Sequence, residues 1–359
     1  MVVPLHFRGR SVIDGEQLEL WAVGGVLTDE RPSGDVETVG DGGWLVPGLV
    51  DAHNHVGIAP GLGVTVEQAR RFAAADARAD ALLIREVGSP LDTHPLDADL
   101  LGPKFIRSGK HIARPKRYLR DYGVDLQNPD ELADEVRRQA RDGDGWVKLV
   151  GDWIDRETGD LAPLWTNTQL ADAVRVAHEE GARITAHVFG TDALPDLLQV
   201  GVDCIEHGTG LTPDLIDAMV DKQIALVPTM IQVENFPSIA DGADRFPAYQ
   251  ANMRKLHRNA GAVFAAAREA GVRIFAGTDA GGFVQHGRIV DEVEALAAVG
   301  LGNEGALAAA CWDARDWLGS GTLQPGDSAD LLVLQSDPRD DLAALREPIA
   351  VVINGAVLG

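Results

Sequence analysis

Cysteine is scarce in this chain of 359 residues, which contains only Cys204 and Cys311. Two cysteines in a chain of this length predict free thiols in a reducing compartment, and they exclude a disulfide-rich scaffold. The first residues lack the apolar stretch of a secretory signal peptide. No run of about 18 apolar residues occurs, so the sequence predicts no transmembrane helix. We therefore expect a cytoplasmic protein.

Basic residues are also scarce relative to acidic ones. The chain has 32 Lys and Arg residues and 55 Asp and Glu residues, which gives a net charge of −23. This balance argues against nucleic acid or an anionic membrane as a partner. We expect a small-molecule substrate, and the sequence leaves a homo-oligomer open. The chain is long enough to bury a large core, either as one α/β barrel with additions or as two separate domains.

Five short apolar stretches each carry a residue that could bind a divalent cation. In the first, over 49–55, side chains alternate between the two faces of a strand, so His53 and His55 point the same way. Two imidazoles on one face at the end of a strand make half of a zinc site. The remaining stretches contribute one residue each: Lys148, His187, His207 and Asp279.

The middle of the chain alternates strand-like and helix-like patterns, which is typical of a parallel sheet or barrel. We predict strands over 46–52, 81–84, 104–107, 146–150, 183–186, 203–206, 225–228 and 273–276. Helices are predicted between them, one beginning at Thr166 and a long one over 249–271 that ends at its glycine. Eight such units fit a (β/α)8 TIM barrel, whose chemistry lies at the C-terminal ends of the strands. Every proposed ligand falls there.

Both ends of the chain read as short strands separated by turns at Asp14-Gly15, Gly24-Gly25 and Asn354-Gly355. The first of these strands is predicted over 10–18. Strand-rich ends that flank a long middle suggest one small β-sandwich built from both termini. We predict a discontinuous sandwich domain over 1–46 and 320–359, and a barrel domain over 47–319.

The order of these residues resembles the amidohydrolase superfamily, in particular its binuclear-metal branch of imidazolonepropionase-like and prolidase-like enzymes. The shared pattern is His-x-His after strand one, a lysine on strand four, histidines ending strands five and six, and an aspartate ending strand eight. Two flanking motifs agree with it, Val46-Pro47-Gly48-Leu49-Val50-Asp51 and Ala329-Asp330-Leu331-Leu332-Val333-Leu334. The resemblance spans nearly the whole chain. It implies a metal-dependent hydrolase that cleaves an amide, lactam or ester bond, and it implies the same barrel and sandwich.

Lys148 interrupts the apolar strand 146–150, where an unpaired ammonium would be costly to bury. One interpretation is a side chain that reaches outward to solvent. The other is a lysine carboxylated by CO2, because desolvation favours the neutral amine that reacts with CO2. The two oxygens of the carbamate can bridge two cations about 3.5–4 Å apart, and the resemblance implies this role.

The implied site holds two divalent metal ions. His53, His55, Lys148 and Asp279 would bind one ion, and Lys148, His187 and His207 the other. Imidazole and carboxylate ligands suit zinc best, with manganese, cobalt or iron as alternatives. Asp279 is the predicted catalytic residue, which takes a proton from the nucleophilic water and passes it to the leaving group.

Substrate contacts are predicted outside the ligand set. The candidates are His111, Arg114, Arg117, Trp153 and His286. Basic residues are concentrated over 107–120, after strand three, so we predict an anionic group, such as a carboxylate, near the scissile bond. The alternative is that these cations pair with the acidic surface. Glu206 is expected to face away from His207, in a salt bridge behind the barrel, and Asp51 either orients a ligand or packs the strand end.

Two other functions remain open. A mononuclear deaminase of an aminated heterocycle shares the superfamily, but it would generally lack Lys148 and carry a catalytic glutamate, whereas Val188-Phe189-Gly190 follows His187. A binding protein on an inactive enzyme fold would be expected to have lost ligands, and none is missing here.

Overall fold

The computed structural model describes residues 3–60 and 62–359. The N-terminal region forms four strands: β1 (Leu5–Ser11), β2 (Gln17–Val23), β3 (Val26–Thr28) and β4 (Glu37–Pro47). The predicted turns at Asp14-Gly15 and Gly24-Gly25 are confirmed. The strand predicted over 10–18 is wrong, because the chain turns inside it and the Ser11 amide bonds the Glu16 carbonyl at 2.9 Å.

The middle of the chain alternates strands with helices. Its strands are β5 (Leu49–Asn54), β6 (Ile58–Ala59), β7 (Leu62–Gly63), β8 (Ala81–Glu86), β9 (Lys104–Arg107), β10 (His111–Ala113), β11 (Gly123–Asp125), β12 (Trp146–Val150), β13 (Asp152–Ile154), β14 (Leu161–Pro163), β15 (Arg183–Val188), β16 (Cys204–His207) and β17 (Ala225–Val227). The predicted strands at 104–107 and 146–150 coincide with β9 and β12, and five others, including the one over 46–52, overlap β5, β8, β15, β16 and β17.

The described helices are α1 (Val66–Arg78), α2 (Leu132–Asp142), α3 (Asn167–Glu179), α4 (Leu194–Val200), α5 (Pro213–Lys222), α6 (Met230–Val233), α7 (Phe236–Asp241), α8 (Pro247–Ala270), α9 (Ile289–Leu296), α10 (Gly302–Ala310) and α11 (Trp312–Trp317). Thr166 caps α3, because its side chain accepts from the Gln169 amide while Gln169 bonds back to the cap. Gly271 ends α8 with φ of 91°. Both predicted helix boundaries are confirmed. None of the helices in residues 3–60 and 62–359 has the length and apolar character needed to span a membrane.

Parallel strands form two sheets that carry the candidate site. One has the order β5-β8-β9 and the other the order β11-β10-β12-β15-β16-β17. The predicted strand at 273–276 is not a regular strand, but it joins the sheets. Phe275 donates to Leu226 of β17 at 2.9 Å, and Ala52 of β5 donates to Ala276 at 2.8 Å. At the other edges β9 lies next to β12 in a separate sheet, so closure of the barrel stays a prediction.

The two termini share one sheet. The C-terminal strands β18 (Leu331–Leu334), β19 (Ala350–Ile353) and β20 (Ala356–Val357) join β1 to β4 in the order β20-β19-β18-β4-β1-β2-β3. The pairing of β18 with β4 is antiparallel, with Leu331 opposite Pro47, and it brings the end of the chain to the start of β5. Residues of this sheet, including Phe7, Leu20 and Val352, form a core separate from the larger one. The division into two sheets of a sandwich and the domain boundaries stay predictions.

Candidate metal centre

Two histidines at the end of β5 and one aspartate converge on a single point. The Nε2 atoms of His53 and His55 lie 3.2 Å apart. They lie 3.2 and 3.1 Å from Oδ1 of Asp279. The Nδ1 of His55 lies 2.9 Å from the Gly88 carbonyl, which can only accept, so this Nδ1 carries the proton and Nε2 presents its lone pair. Lone pairs converging at this distance repel one another unless a cation lies between them.

Glu206 fixes the orientation of His53. Its carboxylate accepts from His53 Nδ1 at 2.7 Å and from the Arg85 guanidinium at 2.7 Å, and the Thr185 hydroxyl also donates to it. Burial alone would raise the pKa of Glu206, but Arg85 and His53 hold it well below its usual range. Burial alone would likewise lower the pKa of His53, yet Glu206 and Asp279 raise it. The two carboxylates next to His53 therefore favour a positive charge at this position.

The predicted position of Glu206 behind the barrel is wrong, although its salt bridge with Arg85 exists. Strand alternation would put Glu206 and His207 on opposite faces. His207 instead has φ of 66°, in the left-handed region, at the last position of β16. The turn of the backbone at this residue lets both neighbouring side chains reach the site.

A clamp between β5 and the segment 273–280 places Asp279. Asp51 accepts from the Thr278 amide at 2.9 Å and from its hydroxyl at 2.6 Å. The Asp279 amide donates to the His53 carbonyl at 2.7 Å. Gly277 is needed for this approach, because a Cβ there would lie 2.7 Å from the His53 amide nitrogen. Asp51 thus orients a ligand through the backbone, one of the two roles that the sequence left open.

His187 and His207 form the second half of the site. Nε2 of His207 lies 3.0 Å from Nδ1 of His187, and Nδ1 of His207 lies 2.7 Å from the Thr229 hydroxyl. Burial holds the pKa of both histidines well below the usual range, so both are neutral at neutral pH. Within the described residues, Nε2 of His187 is buried and has no hydrogen-bond partner.

Lys148 points inward and is only 1% exposed. Within residues 3–60 and 62–359 its Nζ finds no hydrogen-bond partner. Burial lowers its pKa to about 8, although Glu206 and Asp279 oppose the change. A buried amine without a partner is costly. The outward orientation is therefore excluded, and the donor set of imidazoles, a carboxylate and this amine fits divalent cations.

Three of the donor groups already lie close together. Ligand atoms of His53, His207 and Asp279 are all within 4.8 Å of one another, before any adjustment to an ion. His55, His187 and Lys148 surround this cluster. The structure therefore brings all six predicted ligands into one buried site.

The predicted substrate contacts are scattered more widely. Trp153 lines the cavity above the site. His111 is fully buried between His55 and Tyr118, at ring distances of 5.2 and 5.0 Å, and in the described part of the chain neither ring nitrogen has a partner. Burial holds the pKa of His111 well below its usual range. Tyr118 stands between this imidazole and the cavity.

The other three candidates lie away from the cavity lining. The Arg117 guanidinium bonds Asp155 at 2.7 Å and the Ala162 carbonyl at 2.9 Å, so it holds the β13–β14 hairpin. His286 bonds Asp76 of α1 at 2.8 Å and stacks on Phe72 at 4.5 Å. Arg114 is half-buried outside the lining. Their substrate contacts stay predictions.

A cavity of about 420 Å³ opens above the candidate ligands. This is the size of an ordinary small-molecule pocket. Aromatic side chains surround its inner part: Tyr118, Trp153, Phe189 and Tyr249. Sequence reasoning missed Tyr118 and Arg120 as lining residues, although both belong to the basic segment already singled out. It also missed Glu206, for which β-strand alternation gave the opposite signal.

Comparison with known proteins agrees with this geometry. A family profile described as the amidohydrolase family matches residues 44–358. An uncharacterized protein of Mycobacterium tuberculosis (strain ATCC 25618 / H37Rv) is 51% identical over 357 residues, covering 99% of this chain and 96% of the relative.

Solved structures match over nearly the full length. A putative prolidase from Bifidobacterium longum has a TM-score of 0.84 at 24% identity, covering 100% of this chain and 95% of that one. Ochratoxinase of Aspergillus niger has a TM-score of 0.80 at 19% identity, covering 99% and 94%. These likenesses show a TIM-barrel-like α/β fold. With the family profile matching most of its length, this chain is a hydrolase that belongs to the amidohydrolase family.

Proposed function

We propose that this protein hydrolyses a C–N bond, an amide or a lactam, of a small, carboxylate-bearing substrate, with an ester bond as the alternative. Two divalent metal ions, zinc first and manganese, cobalt or iron as alternatives, would be bridged by a carbamate on Lys148. The observation that carries the proposal is the buried Lys148 amine, which lacks a partner in the described chain and is surrounded by the other candidate ligands. The likeness to a putative prolidase supports an amide as the bond.

Formation of the bridge follows from the state of Lys148. With a pKa of about 8, about a tenth of the amine is neutral at pH 7, far more than for an ordinary lysine. Its nitrogen lone pair bonds the carbon of CO2 and one proton leaves to solvent, which gives an anionic carbamate. That anion would satisfy the buried position and face both halves of the site, His53, His55 and Asp279 on one side and His187 and His207 on the other.

Divalent cations supply two things when bound in such a site: water with a lowered pKa and polarisation of a carbonyl oxygen. Asp279 is placed to receive the proton of the attacking water. Burial alone would raise the pKa of Asp279, but His53 and His55 keep it well below its usual range, so the free carboxylate is ionised. The same carboxyl group then passes the proton to the leaving nitrogen. Tyr118, Trp153 and Phe189 cover the site and limit the access of bulk water.

Finer predictions about the fold, the location and the partners belong to the same proposal. We infer that the two parallel sheets close into a (β/α)8 barrel through the segment 273–280, and that the seven-stranded terminal sheet folds as a β-sandwich. The cytoplasmic location and the absence of nucleic-acid and membrane partners rest on composition and stay predictions. So does a homo-oligomer.

A mononuclear deaminase remains the second candidate. The observation in its favour is that His53, His207 and Asp279 already offer three ligand atoms to one ion. Elemental analysis separates the two candidates, because protein produced with ample metal and bicarbonate should bind about two equivalents of metal. A firm value of one equivalent with full activity would favour the deaminase.

The decisive variant is Lys148→Met, which keeps the length and volume of the side chain but cannot form a carbamate. We expect it to lose metal and nearly all amide hydrolysis, and we expect Lys148→Ala to regain part of both when a short carboxylic acid fills the vacated bridge. Lys255→Met, at an exposed position of α8, is the matched control and should retain both properties. Normal metal content and turnover in Lys148→Met would reject the binuclear proposal.

A further inference from the structure

The cavity above the candidate ligands has an uneven distribution of charge. Among the lining side chains in the described chain, Asp279 is the only carboxylate and Arg120 the only Lys or Arg. The residues outside the description, Met1, Val2 and Gly61, have no charged side chain. A substrate in this cavity therefore meets one guanidinium, that of Arg120, and one carboxylate, that of Asp279.

Asp279 is not free to bind a positively charged substrate. Its Oδ1 faces the Nε2 atoms of His53 and His55 at 3.2 and 3.1 Å, where the proposed function places a metal ion. An ammonium group of a substrate would have to compete with that ion and with both imidazoles. Asp279 thus leaves the cavity without a partner for an amine.

Other buried carboxylates near the site are occupied by donors. Asp152 accepts from the Phe189 and Gly190 amides at 3.0 and 2.6 Å. Glu292 accepts from two amides at the start of α6, at 2.8 and 2.9 Å. Neither lines the cavity. They hold the loops behind the wall and offer nothing to a bound ligand.

Apolar side chains form most of the wall that remains. Beyond the aromatic inner part, the lining includes Ile58, Leu119, Ile154, Ile239 and Phe283. Phe283 is 61% exposed and Leu119 is 44% exposed, although both are large and apolar. Exposed apolar residues at a cavity mouth gain burial when an apolar ligand binds.

Arg120 lines the cavity, and it differs from Arg107 and Arg117, the two arginines of its segment that are paired with carboxylates. Arg107 is paired with Asp97 and Asp144, and Arg117 with Asp155. Arg120 is exposed at the cavity and, within residues 3–60 and 62–359, has no acidic partner within 4.0 Å. A guanidinium without a partner suits a carboxylate, which it can bind through two parallel hydrogen bonds.

We propose, resting on the function proposed above, that the substrate is an N-acyl amino acid with an apolar, uncharged acyl group. Its carboxylate binds Arg120 and its acyl group packs on the aromatic and aliphatic wall. A dipeptide with a free amino group would place an ammonium among apolar side chains without a counter-ion, which is unfavourable. In the reaction water adds to the acyl carbon, the C–N bond breaks and the amine nitrogen takes a proton. A carboxylic acid and a free amino acid result.

A matched pair of substrates isolates the amino group. N-(3-phenylpropanoyl)-L-phenylalanine and L-phenylalanyl-L-phenylalanine differ only in the α-amino group. With the metal-loaded protein at pH 7.5, we expect kcat/KM to be at least about 100-fold higher for the acyl compound. Equal or faster cleavage of the dipeptide would overturn this inference and leave the proposed function intact. Failure to cleave any compound in a wider panel of amides, lactams and esters would overturn both.

Arg120→Gln tests the carboxylate contact. We expect KM for N-(3-phenylpropanoyl)-L-phenylalanine to rise about tenfold or more, while kcat/KM for the corresponding primary amide changes little. Lys116→Gln removes an exposed positive charge from the same segment and should leave both substrates unaffected. If Arg120→Gln treats acid and amide as the parent protein does, Arg120 does not bind the substrate carboxylate and the inference fails.

Discussion

A single buried carboxylate, that of Glu206, links three parts of the chain at the candidate site. It accepts hydrogen bonds from His53 of β5, Arg85 of β8 and Thr185 of β15. Because the carboxylate fixes the proton of His53 on Nδ1, Nε2 is left as a ligand. A carboxylate behind a metal-binding histidine raises the basicity of the ring and holds its orientation.

Glu206→Gln should therefore weaken metal binding. Loss of the negative charge makes His53 a poorer ligand, and we expect the affinity for zinc, measured by competition with a chelator, to fall about 10- to 100-fold. Thr185→Val removes one hydrogen bond to the same carboxylate but no charge, and should change affinity far less.

Glu206→Gln also leaves Arg85 without its counter-ion, so the variant will be less stable. Glu206→Asp keeps the charge and shows whether the loss of affinity follows charge or folding. Unaltered zinc affinity in a folded Glu206→Gln protein would remove Glu206 from the metal site.

A second buried carboxyl group, that of Asp80, lowers the free energy of unfolding when it is ionised. It lies in the turn between α1 and β8 with φ of 76°, and burial raises its pKa to about 7. This pKa lies above the ordinary value of 3.8. Between the two pKa values the folded state keeps the proton of Asp80 while the unfolded state releases it, so the free energy of unfolding falls as pH rises. The contribution of Asp80 to stability is complete below the unfolded-state pKa and is lost as pH rises through the folded-state pKa. Stability should therefore fall between about pH 4 and pH 7 on account of this group.

Asp80→Asn should remove that pH dependence. Asparagine keeps the shape of the side chain and tolerates positive φ. At pH 8 we expect the variant to gain about 1–4 kcal/mol in the free energy of unfolding, since one pKa unit corresponds to about 1.4 kcal/mol. The gain should shrink as pH falls toward about 4. Asp121→Asn, with φ of 65° at an exposed position, is the control without burial. A gain that does not vary with pH would contradict the explanation.

At the scale of elements, the β13–β14 hairpin forms one wall of the cavity and depends on Arg117. The hairpin carries Trp153, whose carbonyl accepts from Arg117 at 3.2 Å. The same guanidinium bonds Asp155, directly after β13, and the Ala162 carbonyl of β14. An arginine that the sequence suggested as a substrate clamp is thus occupied in holding a structural element.

Arg117→Ala should loosen this wall without changing selectivity. Losing hydrogen bonds from a charged, largely buried group costs about 1.5–3 kcal/mol. We expect faster hydrogen exchange in residues 152–163 and an equal drop in kcat/KM for an acidic substrate and its amide. Arg156→Ala, at an exposed position of the same hairpin, should change neither. A selective loss on the acid would show instead that Arg117 binds the carboxylate.

Elements also show where sequence reasoning succeeds. Strands such as β9 and β12 were predictable because each is a short run of apolar and β-branched residues between turns. The six candidate ligands could be identified because they lie in or directly after such runs, where parallel strands bring them to one site. Left-handed residues break the pattern: His207 and Asp279 have φ of 66° and 57°, where non-glycine residues are uncommon. The position of Glu206 and the irregular segment 273–280 depend on these bends, and no periodicity encodes them.

At the scale of the whole molecule, ion pairs neutralise part of the positive charge that the sequence places after strand three. The basic segment over 107–120 looked like a positive patch in a protein of charge −23. In the structure, its cations Arg107 and Arg117 are neutralised by Asp97, Asp144 and Asp155. Part of the positive charge of the segment is therefore neutralised, and the proposed contact with an anion is assigned to Arg120, which lines the cavity.

The candidate ligands also connect the molecule as a whole, because they come from β5, β12, β15, β16 and the segment 273–280. Nζ of Lys148 and Nε2 of His187 are buried and lack hydrogen-bond partners in the part of the chain that the structure describes. Ions that bind only the folded state add free energy to it by mass action, about 4 kcal/mol when free metal exceeds the dissociation constant 1,000-fold. Metal should therefore be a structural component of the fold as well as a catalytic one.

Chelation should accordingly lower the melting temperature, by roughly 5 °C for a contribution of about 4 kcal/mol in a chain of this length. The measurement is a thermal unfolding scan before and after treatment with a strong chelator, with metal loss checked by elemental analysis. Zinc together with bicarbonate should restore the original transition, and bicarbonate alone should not. His187→Ala protein already lacks one ligand, so chelation should shift its transition less. A melting temperature that stays constant after complete metal removal would mean that these five parts of the chain are held in place by their packing alone.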